Sequence, residues 1–351
     1  MEYKKLGDIA TYINGYAFKP EQRGSEGLPI IRIQDLTGNA YDLGYYNGDY
    51  PKKVELNDGD VLISWSASLG VYLWNRGKAL LNQHIFKVVF DKVEIDKFYF
   101  MYAVEYNLDK MSLKTHGATM KHITKKDFDN VVIPYPDLDY QKEISYRLTS
   151  LKGIIKKYQE QLVLLDELIK ARFVEMFGDS ITNDKNLKLI SLFDLSVLKA
   201  GKSIKTGELS ETYDDETLMY PCFGGNGIRG YINRYSHDGN YPVIGRQGAW
   251  AGNVNYATGK FYATEHAIVV TPKVDLNTVW YYYGLKYLDL TRFQTGAAQP
   301  GLAVDKLNKV FIPFPAIELQ NQFASFVEEI DKSRLLSNHL LFLIKSISSN
   351  H

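Results

Sequence analysis

Residues 137–177 carry the feature that most constrains this chain, a run of apolar residues at helical spacing. The apolar positions recur every three or four residues, so they form one continuous stripe on a helix. They are Ile144, Leu148, Leu151, Ile155, Tyr158, Leu162, Leu165, Ile169 and Phe173. Pro136 precedes the run and Gly178 follows it, which are usual signals for the start and the end of a helix. At roughly 1.5 Å per residue such a helix is about 60 Å long, and its exposed stripe predicts a coiled coil that needs a partner helix.

The same chain contains a second predicted helix that can serve as this partner. Residues 310–315 (Val-Phe-Ile-Pro-Phe-Pro) repeat residues 131–136 (Val-Val-Ile-Pro-Tyr-Pro) 179 positions later, and Gln320 follows Gln141 by the same distance. The second stripe is interrupted in its middle by Ser333, Arg334 and Ser337. Its apolar positions are Phe323, Phe326, Ile330, Leu340, Ile344 and Ile347.

The repeat extends into the regions before both helices. Residues 6–9 correspond to 192–195, residues 82–88 to 264–270, and residues 100–104 to 279–283. A period this long excludes short solenoid repeats and indicates a duplicated unit of one domain plus one helix. In the first copy we predict strands at residues 28–33, 60–65, 85–90 and 131–135 and a helix at residues 98–104.

The predicted fold is therefore mixed α/β, with two similar globular domains joined by two long antiparallel coiled-coil helices. We place the globular domains at residues 1–136 and 179–315, and the helices at residues 137–178 and 316–351. The loops of the two copies differ. Residues 64–70, for example, stand where residues 246–252 stand in the second copy. Two interpretations fit this difference: recognition of two targets by one scaffold, or drift after duplication.

Composition narrows the functional class. Acidic and basic residues are balanced at 41 each, which argues against a wholly electrostatic nucleic-acid binder but allows a local basic patch. The single cysteine, Cys222, excludes an internal disulfide framework and a cysteine-based zinc site. No run approaches 18 apolar residues and the first residues do not read as a signal peptide, so we expect a cytoplasmic protein without a membrane span.

The sequence shows no catalytic motif. A glycine-rich cofactor loop, the Asn/Asp-Pro-Pro-aromatic tetrapeptide of amino-methyltransferases and a Walker-type loop are all absent. His84 and His266 occupy matched positions and could share a ligand or acid–base role, although a structural role is the more common one. We therefore expect a protein that is not an enzyme and binds neither a metal nor a cofactor.

Several motifs of this chain resemble those of the DNA-specificity subunit of type I restriction–modification systems. They are the lead-in motifs at residues 131–136 and 310–315, residues 141–144, Gln320 and residues 165–178. The resemblance covers essentially the whole chain. It implies that each globular domain is a target-recognition domain that reads one half of a bipartite, asymmetric DNA site. It also implies that the helices fix the spacing between the half-sites.

The resemblance implies several partners. These are double-stranded DNA, two modification (methyltransferase) subunits, and restriction subunits that act as translocase and nuclease. S-adenosylmethionine, ATP and Mg would be held by the partner subunits.

The first helix carries more apolar residues than one partner helix needs. We interpret the surplus as a docking face for other subunits, although simple packing between the helices is an alternative. The surplus residues are Ile154, Leu164, Leu168 and Phe177.

Candidate DNA-contacting residues are basic or amide side chains, with a few aromatic or hydroxyl groups, in or beside polar loops. Lysine and arginine supply phosphate contacts, while Arg, Asn and Gln can read base edges. In the first domain the candidates are Lys19, Arg32, Trp65, Ser66, His116, Lys121 and Lys125. In the second domain they are Lys202, Lys205, Asn226, Arg229, Arg246, Gln247, Gln294 and Gln299. Gly224–Gly227 is interpreted as a turn close to the DNA backbone.

Two other functional classes remain open on the sequence. One is a coiled-coil scaffold protein whose globular heads bind protein or carbohydrate ligands. The other is an enzyme in its own right. A DNA-binding titration in the presence of a methyltransferase partner separates the first from a specificity subunit, and an assay of the purified chain with S-adenosylmethionine tests the second.

Overall fold

The structure is a computed structural model that describes residues 2–39, 42–114, 124–214, 218–296 and 300–349. The chain divides into two compact units, residues 1–155 and 156–351. The elements of the first unit, in chain order, are β1 (Glu2–Lys5), α1 (Leu6–Ile9), β2 (Thr11–Asn14), β3 (Leu28–Ile31), α2 (Ile33–Thr37), β4 (Tyr45–Tyr46), β5 (Glu55–Leu56), β6 (Val61–Ser64), β7 (Gly70–Leu73), β8 (Ala79–Leu81), β9 (Ile85–Val89), α3 (Lys97–Lys114), α4 (Lys125–Asp129) and β10 (Val132–Tyr135).

The first unit contains two four-stranded sheets and a small ribbon. The first sheet has the order β2-β9-β6-β7 and the second has the order β4-β3-β8-β5, in which β3 and β8 run parallel. Strand β6 lies between two cores because successive side chains of a strand point to opposite faces. Val61 and Ile63 pack with Phe100 and Phe128, while Leu62 packs with Trp74. This explains why Val61, Leu62 and Ile63 are apolar in succession rather than alternating with polar residues.

The long helix α5 (Leu138–Phe177) follows β10, and the division between the two units falls inside it. The elements that follow are β11 (Lys188–Ser191), α6 (Leu192–Leu195), β12 (Ser196–Ala200), β13 (Tyr220–Gly224), β14 (Gly227–Ile232), β15 (His237–Asp238), β16 (Tyr241–Gly245), β17 (Val254–Ala257), β18 (Lys260–Ala263), β19 (Ala267–Pro272), α7 (Thr278–Tyr287), β20 (Phe311–Phe314) and α8 (Ile317–Ser349).

The second unit repeats the topology of the first strand for strand. Its sheets have the orders β12-β19-β16-β17 and β14-β13-β18-β15, and β13 and β18 are the parallel pair. The ribbon β11–β20 corresponds to the ribbon β1–β10. The predicted mixed α/β fold with two similar domains and two long helices is confirmed. The predicted domain boundaries remain predictions. The division into two compact units falls between Ile155 and Lys156.

A buried glutamine joins each long helix to the domain before it. Gln141 accepts a hydrogen bond from the Asp96 N–H at 2.9 Å and donates one to the Pro136 carbonyl at 2.8 Å. Gln320 makes the same two contacts, with the Asn277 N–H at 2.9 Å and the Pro315 carbonyl at 3.0 Å. Each glutamine therefore fixes the first turn of its long helix against the start of α3 or α7.

These contacts correct one predicted correspondence. Asp96 and Asn277 are equivalent residues, so α3 and α7 match at a separation of 181. The predicted match of residues 100–104 with 279–283 is wrong by two residues, because similar aromatic runs lie on both helices and the sequence does not show which turn each one occupies.

The predicted stripe of α5 is confirmed position by position. All nine predicted residues from Ile144 to Phe173 are buried or half-buried, while most of the positions between them are exposed. In the second unit α5 packs against α8: the ring centroids of Phe173 and Phe323 are 5.3 Å apart, and Asp166 forms an ion pair with Arg334 at 2.6 Å. Because the numbering falls along α5 as it rises along α8, the two helices run antiparallel there. No helix in the described ranges is both long and apolar enough to cross a membrane.

Candidate nucleic-acid interface

In the second unit, several connections meet at one edge of the sheet β12-β19-β16-β17. The last residue of β16, Gly245, pairs with the first residue of β19, Ala267, so the connection that leaves β16 and the one that enters β19 lie side by side. We define the second loop cluster as residues 224–227, 246–253, 265–266, 294–296 and 300–301. Arg246 binds both neighbouring connections through its backbone, since its N–H donates to the His266 carbonyl at 2.9 Å and its carbonyl accepts from the Leu302 N–H at 2.8 Å.

The second loop cluster is tightly packed at its base. A Cβ atom on Gly245 would lie 2.1 Å from the Gly225 carbonyl oxygen, so only glycine permits this approach of two connections. The Asn253 side-chain amide donates to the Asn226 side-chain oxygen at 2.8 Å. The Gln294 amide donates to the Ala251 carbonyl. The predicted candidate Gln294 therefore also supports the neighbouring loop.

Four of the predicted residues present polar groups at or near this edge. Asn226, Gln247 and Arg229 are exposed. The Arg246 side chain is half-buried, and one of its guanidinium nitrogens lies 3.5 Å from the Glu265 carbonyl oxygen. An exposed amide or guanidinium on a fixed backbone can form two hydrogen bonds with one base edge.

Lys202 and Lys205 follow β12 at the same edge. Both side chains are exposed, and the Lys202 N–H donates to the Ala263 carbonyl at 3.1 Å, which fixes the start of this connection. Their ammonium groups suit contacts with phosphates, which carry no sequence information. Gln299 lies outside the described residues.

The corresponding edge of the first unit is built in the same way. The Trp65 N–H donates to the His84 carbonyl at 3.3 Å, which repeats the contact between Arg246 and His266. The Trp65 ring stacks on Phe86 with centroids 5.6 Å apart. Lys19 follows β2 and is exposed. Lys125 is also exposed, but it lies on α4, where it pairs with Asp129 at 2.7 Å. His116 and Lys121 lie outside the described residues.

Arg32 and Ser66 are corrections to the predicted interface. Arg32 is only 6% exposed, and its Nε lies 3.0 Å from a carboxylate oxygen of Asp35. The Asp35 carboxylate also accepts the Arg32 N–H at 2.8 Å, so it caps α2, and its hydrogen bond raises the pKa of Arg32. Ser66, in the loop after β6, is 7% exposed. Neither side chain is available to DNA.

The predicted docking residues on α5 fall into two groups. Ile154, Leu164 and Leu168 are exposed, so they can meet another subunit. Phe177 is 2% exposed and lies in the core of the second unit, with its ring centroid 6.4 Å from that of Trp280 and 5.7 Å from that of Phe323. The prediction that Phe177 forms part of a docking face is wrong, because the second unit uses it as a core residue.

The comparison with known proteins identifies the family. Residues 1–164 and 184–345 match the model of the type I restriction modification DNA specificity domain. The chain belongs to this family. The predicted resemblance to the type I specificity subunits is confirmed.

Relatives of this specificity-subunit family span most of the chain. The type I restriction enzyme EcoprrI specificity subunit of Escherichia coli is 29% identical, over 94% of this chain and 88% of that protein. The MjaVIII specificity subunit of Methanocaldococcus jannaschii is 21% identical, over 94% of this chain and 86% of that protein.

Solved structures show the same fold. The crystal structure of the type I restriction-modification S subunit from M. genitalium superposes with a TM-score of 0.65 at 16% identity, and the match covers 99% of this chain and 94% of that chain. A chain from a structure that describes complex assembly and conformational transition of the type I R-M system superposes with a TM-score of 0.52 at 15% identity, over 99% of this chain and 95% of that chain.

One exposed side chain of the second loop cluster is missing from the sequence-based candidates. Trp250 is 57% exposed, in the loop between β16 and β17. A large aromatic residue in a segment that differs between the two copies was the available signal. Trp250 is not among the candidates because they are mainly polar side chains.

Proposed function

We propose that this chain is the non-catalytic DNA-recognition subunit of a type I restriction–modification complex, in which each unit reads one half of a bipartite, asymmetric site. One observation carries the proposal. Two units with the same strand order present different side chains at the same sheet edge, Trp65 beside His84 in the first and Arg246 beside His266 in the second. Two different half-sites need this combination of one scaffold and two loop sets.

The side chains at these edges divide into two roles. Arg246, Gln247 and Asn226 have the planar, multiple hydrogen-bonding groups that distinguish base pairs in the major groove. Lys19, Lys202 and Lys205 are exposed point charges that would hold the phosphates and make binding dependent on salt. The balanced net charge of the chain then places the attraction to DNA in these local regions rather than over the whole surface.

The two long helices would set the spacing between half-sites and bind the modification subunits. The exposed apolar residues Ile154, Leu164 and Leu168 support the second role, since Leu164 and Leu168 are neighbours on one face of the helix and expose a shared apolar surface to water. In this proposal the modification and restriction subunits hold S-adenosylmethionine, ATP and Mg, and the complex acts on DNA in the cytoplasm.

The test uses the chain reconstituted with its modification subunits. The target is first identified from the methylated sites of cells that express the complex. Binding is then measured for Arg246→Ala and for Arg147→Ala, which removes an exposed arginine of α5 that pairs with Glu143. We expect Arg246→Ala to relax one half-site by about 10- to 100-fold in discrimination and leave the other unchanged. Arg147→Ala should change neither half-site.

A second measurement tests the spacing. Duplexes that contain one base pair more or fewer between the half-sites should bind at least tenfold more weakly, because only one unit could then engage its half-site fully. Binding without any sequence preference would contradict the proposal and would favour a scaffold whose globular heads bind protein or carbohydrate.

A further inference from the structure

Trp250 differs from the other tryptophans in its surroundings. Trp74 and Trp280 are buried at 2% and 1% exposure, and Trp65 stacks on Phe86. Trp250 is 57% exposed, and within the described residues its ring contacts no other aromatic ring. Leaving so much indole surface in water is unfavourable, and aromatic residues of this kind are typical of binding surfaces.

The loop that carries Trp250 is held by hydrogen bonds on both sides of it. The Ala251 N–H donates to the Gly248 carbonyl at 3.0 Å, and the Asn253 N–H donates to the Trp250 carbonyl at 3.0 Å, so two tight turns follow one another. The Gly252 N–H donates to the Gly245 carbonyl at 2.8 Å and closes the loop onto β16. The backbone at Trp250 is thus fixed before any ligand binds, which lowers the entropy lost on binding.

The packing beneath the loop restrains the backbone on the C-terminal side of Trp250. Ala251 is fully buried in the core of the second unit. Gly252 has a positive φ of 86°, and a Cβ atom there would lie 2.7 Å from the Thr291 backbone nitrogen. The indole therefore projects from a rigid base and not from a flexible tip.

The groups around Trp250 indicate what it meets. Gln247 lies three residues before it, and Asn226 is bound to Asn253 three residues after it. These amides suit base edges in the major groove, where the apolar group offered by the four unmodified base pairs is the 5-methyl group of thymine. We propose that Trp250 contacts a thymine methyl group in the half-site read by the second unit, and this inference depends on the proposed DNA-reading function.

The first unit offers no equivalent contact at this position. Trp65 and Arg246 occupy matched positions, but the connection that starts there is three residues shorter in the first unit, with residues 65–69 between β6 and β7 against residues 246–253 between β16 and β17. The large apolar residues of the shorter connection, Trp65 and Leu69, pack against the core of the first unit. The thymine contact is therefore a property of the second half-site alone.

The experiment replaces each thymine of both half-sites by deoxyuridine, one at a time, which removes only the methyl group. In the reconstituted complex with the unsubstituted chain, we expect one replacement in the second half-site to weaken binding by about fourfold, the value for one buried methyl group. Trp250→Ala should weaken binding to the thymine duplex by at least as much and should make the complex indifferent to that replacement. Trp250→Phe should retain part of the difference.

The matched control is Ile228→Ala, which removes an exposed apolar side chain of the second unit outside the 246–253 loop. It should leave the difference between thymine and deoxyuridine unchanged. The midpoint of thermal unfolding is measured for each variant. It should match that of the unsubstituted chain, which shows that the fold is retained.

Three results would overturn the inference. The first is a second half-site that contains no thymine. The second is an effect of deoxyuridine replacement that persists in the Trp250→Ala complex. The third is a thymine that reacts with permanganate only when Trp250 is present, because that reactivity would indicate that the indole inserts between base pairs. Each of these results leaves the sequence-specific binding of the unsubstituted complex intact, so failure here is distinguishable from failure of the proposed function.

Discussion

In the first unit the long helix α5 lies beside α3 with half-buried side chains, whereas in the second unit both α5 and α8 contribute residues to the core. Ile144 and Leu148 are half-buried, but their equivalents on α8, Phe323 and Val327, are 0% and 3% exposed. The difference comes from the end of α5, where Phe173 and Phe177 pack against Phe323. A duplicated scaffold can therefore keep its strand order while the two copies differ in how firmly a shared helix is packed.

The first prediction tests this difference and has the largest expected effect. Phe173→Ala should reduce the free energy of unfolding by about 4 kcal/mol, because it leaves a cavity among Phe177, Tyr287 and Phe323. Leu148→Ala, in the first half of α5, should cost only about 1 kcal/mol. Urea unfolding of the full chain measures both values, and Leu164→Ala, which is exposed, is the control. Equal costs for Phe173→Ala and Leu148→Ala would contradict the comparison.

The second prediction concerns a buried ion pair described in the first unit. Arg32→Ala should cost about 3 kcal/mol, because the buried carboxylate of Asp35 then loses its partner. The double variant Arg32→Ala with Asp35→Ala should be more stable than the sum of the single effects predicts, since the two residues act together. Thermal unfolding of the four proteins gives the coupling. Strict additivity would show that the pair contributes nothing as a unit.

The third prediction tests what the two units share. Gln141→Ala and Gln320→Ala should each cost about 2 kcal/mol, because each variant loses the two hydrogen bonds of a buried glutamine and leaves a backbone N–H and a carbonyl without that partner. The two costs should agree within about 0.5 kcal/mol and add in the double variant, as expected for distant sites. A large cost at one site alone would show that the two glutamines are equivalent in geometry but not in energy.

The fourth prediction has the smallest expected effect. Lys202→Ala should weaken DNA binding by about two- to fivefold without changing the preferred sequence, and should reduce the salt dependence by about one phosphate contact. Lys19→Ala at the first edge should behave in the same way. The control is Lys156→Ala on α5, where the lysine pairs with Glu160 at 3.7 Å. Altered sequence preference in Lys202→Ala would assign the residue to base reading.

The sequence predicted those parts of the fold that depend on local periodicity. The stripe of α5 and the strands β3, β6, β9 and β10 follow from spacing within short segments. The duplication follows from motifs that recur 179 positions later in the chain. The strand order required the structure, because hydrogen bonding between distant strands leaves no local pattern. The two-residue shift between α3 and α7 belongs to the same class, since only the contacts of Gln141 and Gln320 decide it.

The interface was predicted less completely than the fold. Exposure depends on distant partners, as Phe177 shows by packing against Trp280, about 100 positions later. Arg32 is a different case, because Asp35 three residues later is a recognisable capping pattern that argued for a structural role. Trp250 shows the converse, because a tryptophan is usually at least partly buried and only the structure shows that this one is exposed.

The boundary between Ile155 and Lys156 lies within α5, next to exposed side chains on both sides. A gene exchange that joined two related chains at this point would preserve an unbroken helix and would leave the sheets of both units intact. New combinations of half-sites could then arise from one crossover, without any new loop having to evolve.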